Sequence, residues 1–322
     1  MIWLLACTKT TPEVPDVPGY RYSHVGALDA ADERLLLTGG SSEEGRRIDA
    51  WAYELASGEW IRLGEPPETL FRSTLVVRED EAWIFSGSGE GSVESERLWH
   101  WDLSTDTWTE KSGGPPGRYK AAAVRIGDQM LVQGGRFDDE GETLTREDLW
   151  LYDLDQDSWQ ELAIEGGPGP MTRQALLWDE DAGLVYMNGG IDETDTRHSW
   201  IWALDWDEKT WTLVADDEQG SPNHASHSFW KQDADTLCAW GGSGDEEAIW
   251  CYDLASAAWA TAGGLGPATR DAQIFDISED GATAWMMGGD PRDDENLPHF
   301  TNDVWSLELA TLEWTEEFPV TP

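Results

Sequence analysis

Positive charge is scarce in this sequence. Its 322 residues include 21 Lys and Arg against 64 Asp and Glu, and the formal net charge is -43. A protein that binds nucleic acid by neutralising phosphates needs a basic face, so no nucleic-acid partner is expected. The acidity fits adaptation to a saline medium better than a specific ligand site, because solvated charge sets solubility and association first. Only five of the cations are lysines, which are Lys9, Lys111, Lys120, Lys209 and Lys231.

Cysteine is also rare, and long apolar runs and helix-period patterns are absent. Since no run of 18 apolar residues exists, no transmembrane helix is expected. Without a 3.6-residue period, the regular structure should consist of strands. Of the 3 cysteines, Cys238 and Cys251 fall on consecutive predicted strands. A bridge between adjacent strands demands unusual geometry, so two separate buried thiols are favoured over a cross-strand disulfide.

Tryptophan, by contrast, is abundant, with 21 residues in the chain. A disordered acidic chain lacks large apolar side chains, so this chain should fold. Many of the tryptophans fall in six copies of the pattern Trp-x-[Tyr/Trp/Leu]-[Asp/Glu]-[Leu/Trp]-x4-Trp. The copies run from Trp51 to Trp60, Trp99 to Trp108, Trp150 to Trp159, Trp202 to Trp211, Trp250 to Trp259 and Trp305 to Trp314.

A glycine pair that closes an apolar run precedes nearly every copy. Each unit is predicted to form four short strands separated by turn residues. Glycine at the end of the second strand would permit φ > 0 and leave room for a large ring to pack over the backbone. The pairs are Gly39-Gly40, Gly134-Gly135, Gly189-Gly190, Gly241-Gly242 and Gly288-Gly289, with Ser86-Gly87 as the variant.

This repeat resembles the kelch motif, whose unit of about 50 residues is one blade of a β-propeller. The resemblance implies an all-β fold, a six-bladed β-propeller with four antiparallel strands per blade, over residues 20–318. Because the four strands of a unit are consecutive, the ring can close by packing of blade one on blade six without strand exchange, although the sequence leaves this open. The expected blades are about 20–65, 66–115, 116–167, 168–219, 220–265 and 266–318.

The N-terminus carries a second resemblance. Residues 1–7 end in Leu4-Leu5-Ala6-Cys7, which resembles the end of a bacterial lipoprotein signal, and residues 8–19 form a Pro/Thr linker. The resemblance implies acylation of Cys7 and a location in the bacterial cell envelope, either lipid-anchored or periplasmic or extracellular. Membrane contact would then occur through the lipid anchor only. A chance match is the alternative.

The loops between the second and third strands are long and polar, and they should share one face of the propeller, the long-loop face. Each first strand should begin on this face with a cationic or titratable residue, beside aromatic or histidine side chains. Such a ring would bind a carboxylate or another compact anion through bidentate guanidinium bonds. The competing interpretation is that the arginines pair with Asp49, Asp148 or Asp303. The candidate ligand-binding residues are Arg21, Arg72, Arg118, Arg173, His224, Arg270, Tyr22, Tyr119 and His227.

Trp200 lies outside the repeat pattern and is a further candidate ligand-binding residue, able to stack on a sugar ring. Packing against a neighbouring blade is the favoured alternative. Acidic residues cluster with His198 and with His299 in the loops of blades four and six, but they lack the EF-hand spacing. No metal site and no cofactor are therefore expected. No catalytic residue is assigned, because no nucleophile-base pair or nucleotide fingerprint occurs.

The sequence therefore favours a monomeric, non-enzymatic platform that presents its long-loop face to a protein or glycan outside the cytoplasm. An enzyme is the alternative, because bacterial periplasmic sialic-acid mutarotases are similar six-bladed kelch proteins. An arginine ring would suit a carboxylated sugar whose ring opens by acid-base catalysis. A cytosolic interaction module is disfavoured, because no partner domain accompanies the propeller.

Overall fold

The computed structural model describes residues 17–89, 93–217, 224–243, 248–264, 266–291 and 300–320. Its regular structure consists of six four-stranded antiparallel sheets and three small two-stranded sheets. The six large sheets are the blades of a β-propeller, and the first strands of blades two to five contact one another in sequence order. The prediction of six blades with four strands each is confirmed. No helix in these ranges is long and apolar enough to cross a bilayer.

The strands of each blade follow one another from the axis outward. Blade one contains β1 (Leu28–Asp29), β2 (Arg34–Thr38), β5 (Ala50–Glu54) and β6 (Glu59–Leu63). Blade two contains β7 (Thr74–Arg78), β8 (Glu81–Phe85), β9 (Leu98–Asp102) and β10 (Thr107–Glu110). Blade three contains β11 (Ala122–Ile126), β12 (Gln129–Gln133), β15 (Leu149–Asp153) and β16 (Ser158–Leu162). Blade four contains β18 (Ala175–Asp179), β19 (Leu184–Asn188), β21 (Ile201–Asp205) and β22 (Thr210–Ala215). Blade five contains β23 (Ser228–Asp233), β24 (Thr236–Trp240), β25 (Ile249–Asp253) and β26 (Ala258–Ala262). Blade six contains β27 (Ile274–Ile277), β28 (Thr283–Gly289), β29 (Thr301–Glu308) and β30 (Glu313–Phe318).

The small sheets lie on the long-loop face. Strands β3 (Ser41–Ser42) and β4 (Gly45–Arg46) form a hairpin in the long loop of blade one, and β13 (Arg136–Asp139) and β14 (Glu142–Thr145) form one in blade three. Strand β17 (Met171–Thr172) pairs with β20 (Ile191–Asp192) in blade four. The opposite face carries tight turns, which the acidic residue of the repeat stabilises. In blade three, Asp153 accepts backbone N–H bonds from Asp155 at 3.1 Å and Gln156 at 2.8 Å.

The core lies between the blades. Between blades two and three, Trp83 and Phe85 of β8 are buried together with Met130 of β12 and Tyr152 of β15. The outer-strand tryptophan Trp159 packs on Phe85, with ring centroids 4.9 Å apart. Second strands are the most completely buried, because a blade covers them on each side. The repeat tryptophans thus supply contact area between neighbouring sheets.

The glycine pairs join each blade to the next. Gly134 and Gly135 have φ values of 66° and 99°, as expected for this position. The Gly135 N–H donates to the Met171 carbonyl of blade four at 2.8 Å, and a Cβ on Gly134 would lie 2.2 Å from the same oxygen. In blade three the close neighbour is therefore the backbone of the next blade rather than a ring, whereas Gly189 and Gly288 also lie against the histidine rings of His227 and His24.

The propeller closes without strand exchange, since every blade is built from consecutive strands. At the seam, the Leu28 N–H donates to the carboxylate of Asp276 at 3.0 Å, and Asn302 donates to the Pro18 carbonyl at 2.8 Å. Tyr22 of blade one stacks on Phe300 at 4.4 Å. Blades one and six therefore meet through side-chain packing and a few hydrogen bonds.

Asp276 should make the stability of this seam pH-dependent. Burial raises the pKa of its carboxyl above 3.8. The folded state then holds a proton that the unfolded state has lost, so the contribution to stability falls as the pH rises from 3.8 through the folded pKa. Between pH 4 and pH 7, the free energy of unfolding of Asp276→Asn should increase relative to that of wild type. The increase should be about 1.4 kcal/mol for each pH unit by which burial raises the pKa of Asp276. Urea unfolding at both values measures this, and the exposed Asp181→Asn should show no such gain.

Cys238 and Cys251 form a disulfide, so the expectation of two separate thiols is wrong. The register of β24 and β25 places the two residues directly opposite each other, with their Cα atoms 4.0 Å apart. Thiols on residues whose Cα atoms lie this close are within reach of each other. The sequence placed them on consecutive strands but did not give this register.

Candidate functional site

The predicted ring of cationic side chains divides into two sets with different surroundings. In the first set, the Arg118 side chain is fully buried. It donates to the two carboxylate oxygens of Asp148 at 2.6 Å and 2.9 Å and to the Gly134 carbonyl at 3.0 Å. Asp148 also accepts a hydrogen bond from the Trp150 indole at 2.8 Å. The guanidinium therefore joins the first strand of the blade to its second and third strands.

The same connection occurs in blades one and six. Arg21 pairs with Asp49 at 2.5 Å, and Arg270 pairs with Asp303 at 2.7 Å. Burial alone would raise the pKa of Asp49, but the hydrogen bonds and charge of Arg21 hold it below its ordinary value. The second interpretation from the sequence, pairing with these three aspartates, therefore describes Arg21, Arg118 and Arg270.

Blades two, four and five lack this ion pair. Leu70, Met171 and His224 occupy the arginine position, as shown by the hydrogen bonds that each of their carbonyls accepts from the preceding blade. The His224 ring is buried and bonds to the Gly241 carbonyl at 3.1 Å, and burial lowers its pKa to about 4. Neighbouring His227 bonds to Asn188 at 2.9 Å, and burial followed by the charge of His224 lowers its pKa well below the ordinary range. Both histidines are neutral at pH 7 and belong to the core.

Arg72 and Arg173 form the second set, two positions further along the chain than the buried arginines. They share this position with Lys120, which the sequence analysis missed. All three have left-handed backbones, with φ values of 59°, 60° and 56°. In the other blades the same position and conformation belong to Ser23, Ser226 and Ala272. We call Arg72, Lys120 and Arg173 the axial cation cluster.

A chain of backbone hydrogen bonds links these positions from blade to blade. The Lys120 N–H donates to the Arg72 carbonyl at 2.9 Å, and the Arg173 N–H donates to the Lys120 carbonyl at 3.1 Å. The bonds continue from Arg72 to Ser23, from Ser226 to Arg173 and from Ala272 to Ser226. Equivalent residues of neighbouring blades can approach this closely only beside the axis. The hydrogen bonds hold a strained conformation that non-glycine residues rarely adopt.

The charges of the axial cation cluster act on one another. Burial, followed by the charges of Arg173 and Arg72, lowers the pKa of Lys120 to about 6, while Asp271 opposes the shift. Asp271 lies 4.0 Å from Arg173, at the limit of an ion pair. Within the described ranges, neither Lys120 nor Arg72 forms an ion pair. The guanidinium groups of Arg72 and Arg173 therefore concentrate positive charge at the axis of an otherwise acidic protein, and they disfavour the charged form of Lys120.

Aromatic rings line this site, and other side chains already cover several of their faces. The Arg72 guanidinium lies 4.5 Å from the Phe71 ring and 5.5 Å from the Tyr119 ring. Tyr119 is nearly buried, with its hydroxyl 3.4 Å from Asp138. Tyr22 packs between Phe300 and Phe71. These contacts fix the position of Arg72 beside the axis through cation-π attraction.

Trp200 and the acidic loop of blade four pack together. The Trp200 ring stacks on His198 with centroids 3.6 Å apart, which covers one of its faces. His198 belongs to the same loop of blade four, so this contact lies within the blade and is not the packing against a neighbouring blade that the sequence favoured. His198 in turn bonds to Asp192 at 3.0 Å and to Asp217 at 2.6 Å. Among the described residues, no group of three or more His, Cys, Asp and Glu side chains could hold a metal ion. His299 and the acids beside it lie outside those residues.

Three exposed apolar side chains belong to the long loops of blades one to three. Ile48, Val93 and Leu144 are 44%, 66% and 40% exposed, and each comes from the long loop of blade one, two or three. Arg46, whose guanidinium lies 3.4 Å above the Phe71 ring, stands in the same region. Apolar and basic groups thus occur together in the long loops of the blades that carry Arg72 and Lys120 and of blade one.

Comparison with known families agrees with the repeat pattern and the geometry. A model of the KLHDC2/KLHL20/DRC7 Kelch-repeats domain matches residues 5–176 and again residues 120–321. The chain belongs to the kelch-repeat family. The overlap of the two matches is expected for an array of equivalent blades, because one model can align in more than one register.

The individual relatives are distant in sequence and longer than this chain. Kelch-like protein 35 of Mus musculus is 23% identical over 205 residues, covering 63% of this chain and 33% of the relative. Kelch repeat and BTB domain-containing protein 12 of Danio rerio is 27% identical over 222 residues, covering 61% and 34%. Multiple epidermal growth factor-like domains protein 8 of Mus musculus is 30% identical over 161 residues, covering 46% and 5%. The kelch chain therefore matches only about a third or less of each relative.

Proposed function

We propose that this kelch propeller is a binding platform whose long-loop face receives a protein or glycan, with an anionic group of the ligand at the axial cation cluster. Kelch propellers commonly mediate protein interactions, and this gives the general class. The observation that supports the specific site is the convergence of Arg72, Lys120 and Arg173 from three consecutive blades.

Charge supports an anionic ligand group. The chain carries a net charge of -43, and a general negative field would repel anions. Only a local concentration of cations can overcome that field at short range. A guanidinium can donate two parallel hydrogen bonds to one carboxylate, and such charge-assisted bonds are about twice as strong as neutral ones. A single carboxylate, from an acidic side chain or an acidic sugar, therefore fits the cluster.

The surrounding surface supports a ligand larger than a free ion. Ile48, Val93 and Leu144 are exposed on the same face as the cluster, where they can contact apolar groups that flank the carboxylate. Apolar contact beside a fixed charge gives both affinity and orientation. An acidic peptide segment with apolar neighbours combines the two features.

Binding of acidic peptides and acidic glycans on arrays tests this function, with wild type and Arg72→Ala/Arg173→Ala compared side by side. We expect the double variant to lose at least about tenfold in affinity for the ligands that wild type selects, because it loses two charge-assisted contacts. Binding should also weaken with salt. Arg125→Ala removes an exposed arginine of the tight-turn face and should have no effect. Equal affinity of wild type and the double variant would exclude the cluster as the binding site.

We also propose that the chain is a monomer tethered to the bacterial cell envelope through a lipid on Cys7. This residue lies outside the described part of the chain, so the proposal rests on the sequence resemblance of Leu4-Leu5-Ala6-Cys7. Labelled palmitate should appear in the protein expressed with its native upstream sequence, and Cys7→Ser should abolish the label. An unlabelled wild-type chain would refute the anchor.

A further inference from the structure

Lys120 occupies a setting that differs from that of the other described lysines. Its backbone bonds place it between Arg72 and Arg173 on the axial chain of hydrogen bonds. A third positive charge beside two guanidinium groups, in a partly buried site, costs Coulomb and desolvation energy. These causes lower its pKa to about 6, so the amine is mostly unprotonated at pH 7.

The amine also differs in its partners. The ammonium of Lys231 pairs with Asp179 at 2.7 Å, and that of Lys209 bonds to the Trp206 carbonyl above the indole ring. Within the described residues, Lys120 Nζ has no hydrogen bond or ion pair, and the side chain is half-buried. Lys111 shares both properties, so the position between Arg72 and Arg173 is what distinguishes Lys120. An unprotonated lysine of this kind, flanked by other cations, is a nucleophile towards carbonyl carbon.

We propose that Lys120 forms an imine with a 2-oxo acid whose carboxylate pairs with Arg72 or Arg173. The lone pair of Nζ attacks the ketone carbon, and the carbonyl oxygen leaves as water with the two amine hydrogens. A C=N bond replaces the C=O bond, and no oxidant or reductant takes part. The carboxylate next to the ketone is the feature that selects this class, because the axial hydrogen bonds set Arg72 and Arg173 on either side of Lys120.

This inference rests on the proposed function, since the carboxylate would use the same anion site. It adds a covalent step that simple binding does not require. Carboxylic acids without a ketone should bind at the site and stay unreacted, whereas 2-oxo acids of the same size should also become linked to Lys120.

The test uses the full chain with pyruvate as the 2-oxo acid and propionate as the matched acid without a ketone. Borohydride reduces any imine to a stable amine, and intact mass and peptide mapping then locate it among the five lysines. We expect one adduct at Lys120, formed at least about tenfold faster than at Lys111 at pH 7, because far more of its amine is unprotonated. Its rate should rise through about pH 6 and level off by about pH 8, whereas an ordinary lysine gains reactivity up to about pH 10.

Variants and competition separate the possible outcomes. Lys120→Arg should abolish the adduct, and Lys111→Arg should leave it unchanged. If propionate binds in a calorimeter but pyruvate gives no adduct, or gives equal labelling of several lysines, the covalent step is refuted and the anion site stands. If neither acid binds and no adduct forms, both proposals fail. Retention of the adduct in folded Lys120→Arg would also overturn the assignment.

Discussion

Replacing Asp148 by alanine should lower the free energy of unfolding by about 3–5 kcal/mol. The substitution leaves the guanidinium of Arg118 buried without its counter-charge and removes two hydrogen bonds of 2.6 Å and 2.9 Å. It also leaves the Trp150 indole without its acceptor. Urea unfolding followed by tryptophan fluorescence measures the loss, because Trp150 and its equivalents lie between the blades.

Blade four supplies the control for this prediction, because it folds without the ion pair. Met171 stands at the position of Arg118, and Trp200 stands at the position of Asp148. The double variant Arg118→Met/Asp148→Ala should therefore recover most of the loss, since a buried ion pair can be replaced by apolar groups at little cost. A double variant as unstable as Asp148→Ala would show that the hydrogen bond to Trp150 matters more than the charge. The exposed pair partner Asp155→Ala should cost less than about 1 kcal/mol.

The sequence predicted the architecture well because the blade is repeated. Each copy of the tryptophan pattern marks a third and a fourth strand, and each glycine pair marks the end of a second strand. Six copies in the same order predict six blades of four strands each, whereas closure without strand exchange at the seam is known from the structure. A feature that recurs in all six blades is supported by six copies of the pattern, whereas a single motif is supported by one.

Part of the division within the predicted ring was readable from the sequence. Arg21, Arg118 and Arg270 occur only in blades that also have Asp49, Asp148 or Asp303 two residues before the repeat tryptophan. That pairing within blades was readable as evidence of contact. In the blades of Arg72 and Arg173, the residue two before the repeat tryptophan is Arg97 or Trp200 rather than an aspartate. That difference would have separated the two sets.

Other features could not be read from the pattern. The importance of Lys120 depends on a left-handed turn and on hydrogen bonds between blades, and neither leaves a residue signature, since Arg, Lys, Ser and Ala all occupy the position. The disulfide depends on the strand register, which a shift by one residue would change. The neutral state of His224 and His227 depends on burial from several blades at once.

The axial cation cluster should lower the free energy of unfolding, because Lys120 must lose its proton on folding at neutral pH. An unfolded lysine has a pKa near 10.5, whereas that of Lys120 in the folded protein is about 6. Between these values the unfolded state binds the additional proton, so the stability of the wild-type protein rises with pH in this range. A residue that costs folding energy and lies at a strained position is typical of a binding site.

Lys120→Met should therefore raise the free energy of unfolding by on the order of 3–5 kcal/mol at pH 7, because methionine fills a similar volume and never needs to lose a proton on folding. The gap between variant and wild type should shrink by about 1.4 kcal/mol per pH unit from pH 7 to pH 10. Urea unfolding across this range measures it. Lys111→Met, just after β10, is the matched control and should show only a small gap at pH 7. A pH-independent gap for Lys120→Met would mean that the amine stays protonated beside Arg72 and Arg173, and the imine would then lack its nucleophile.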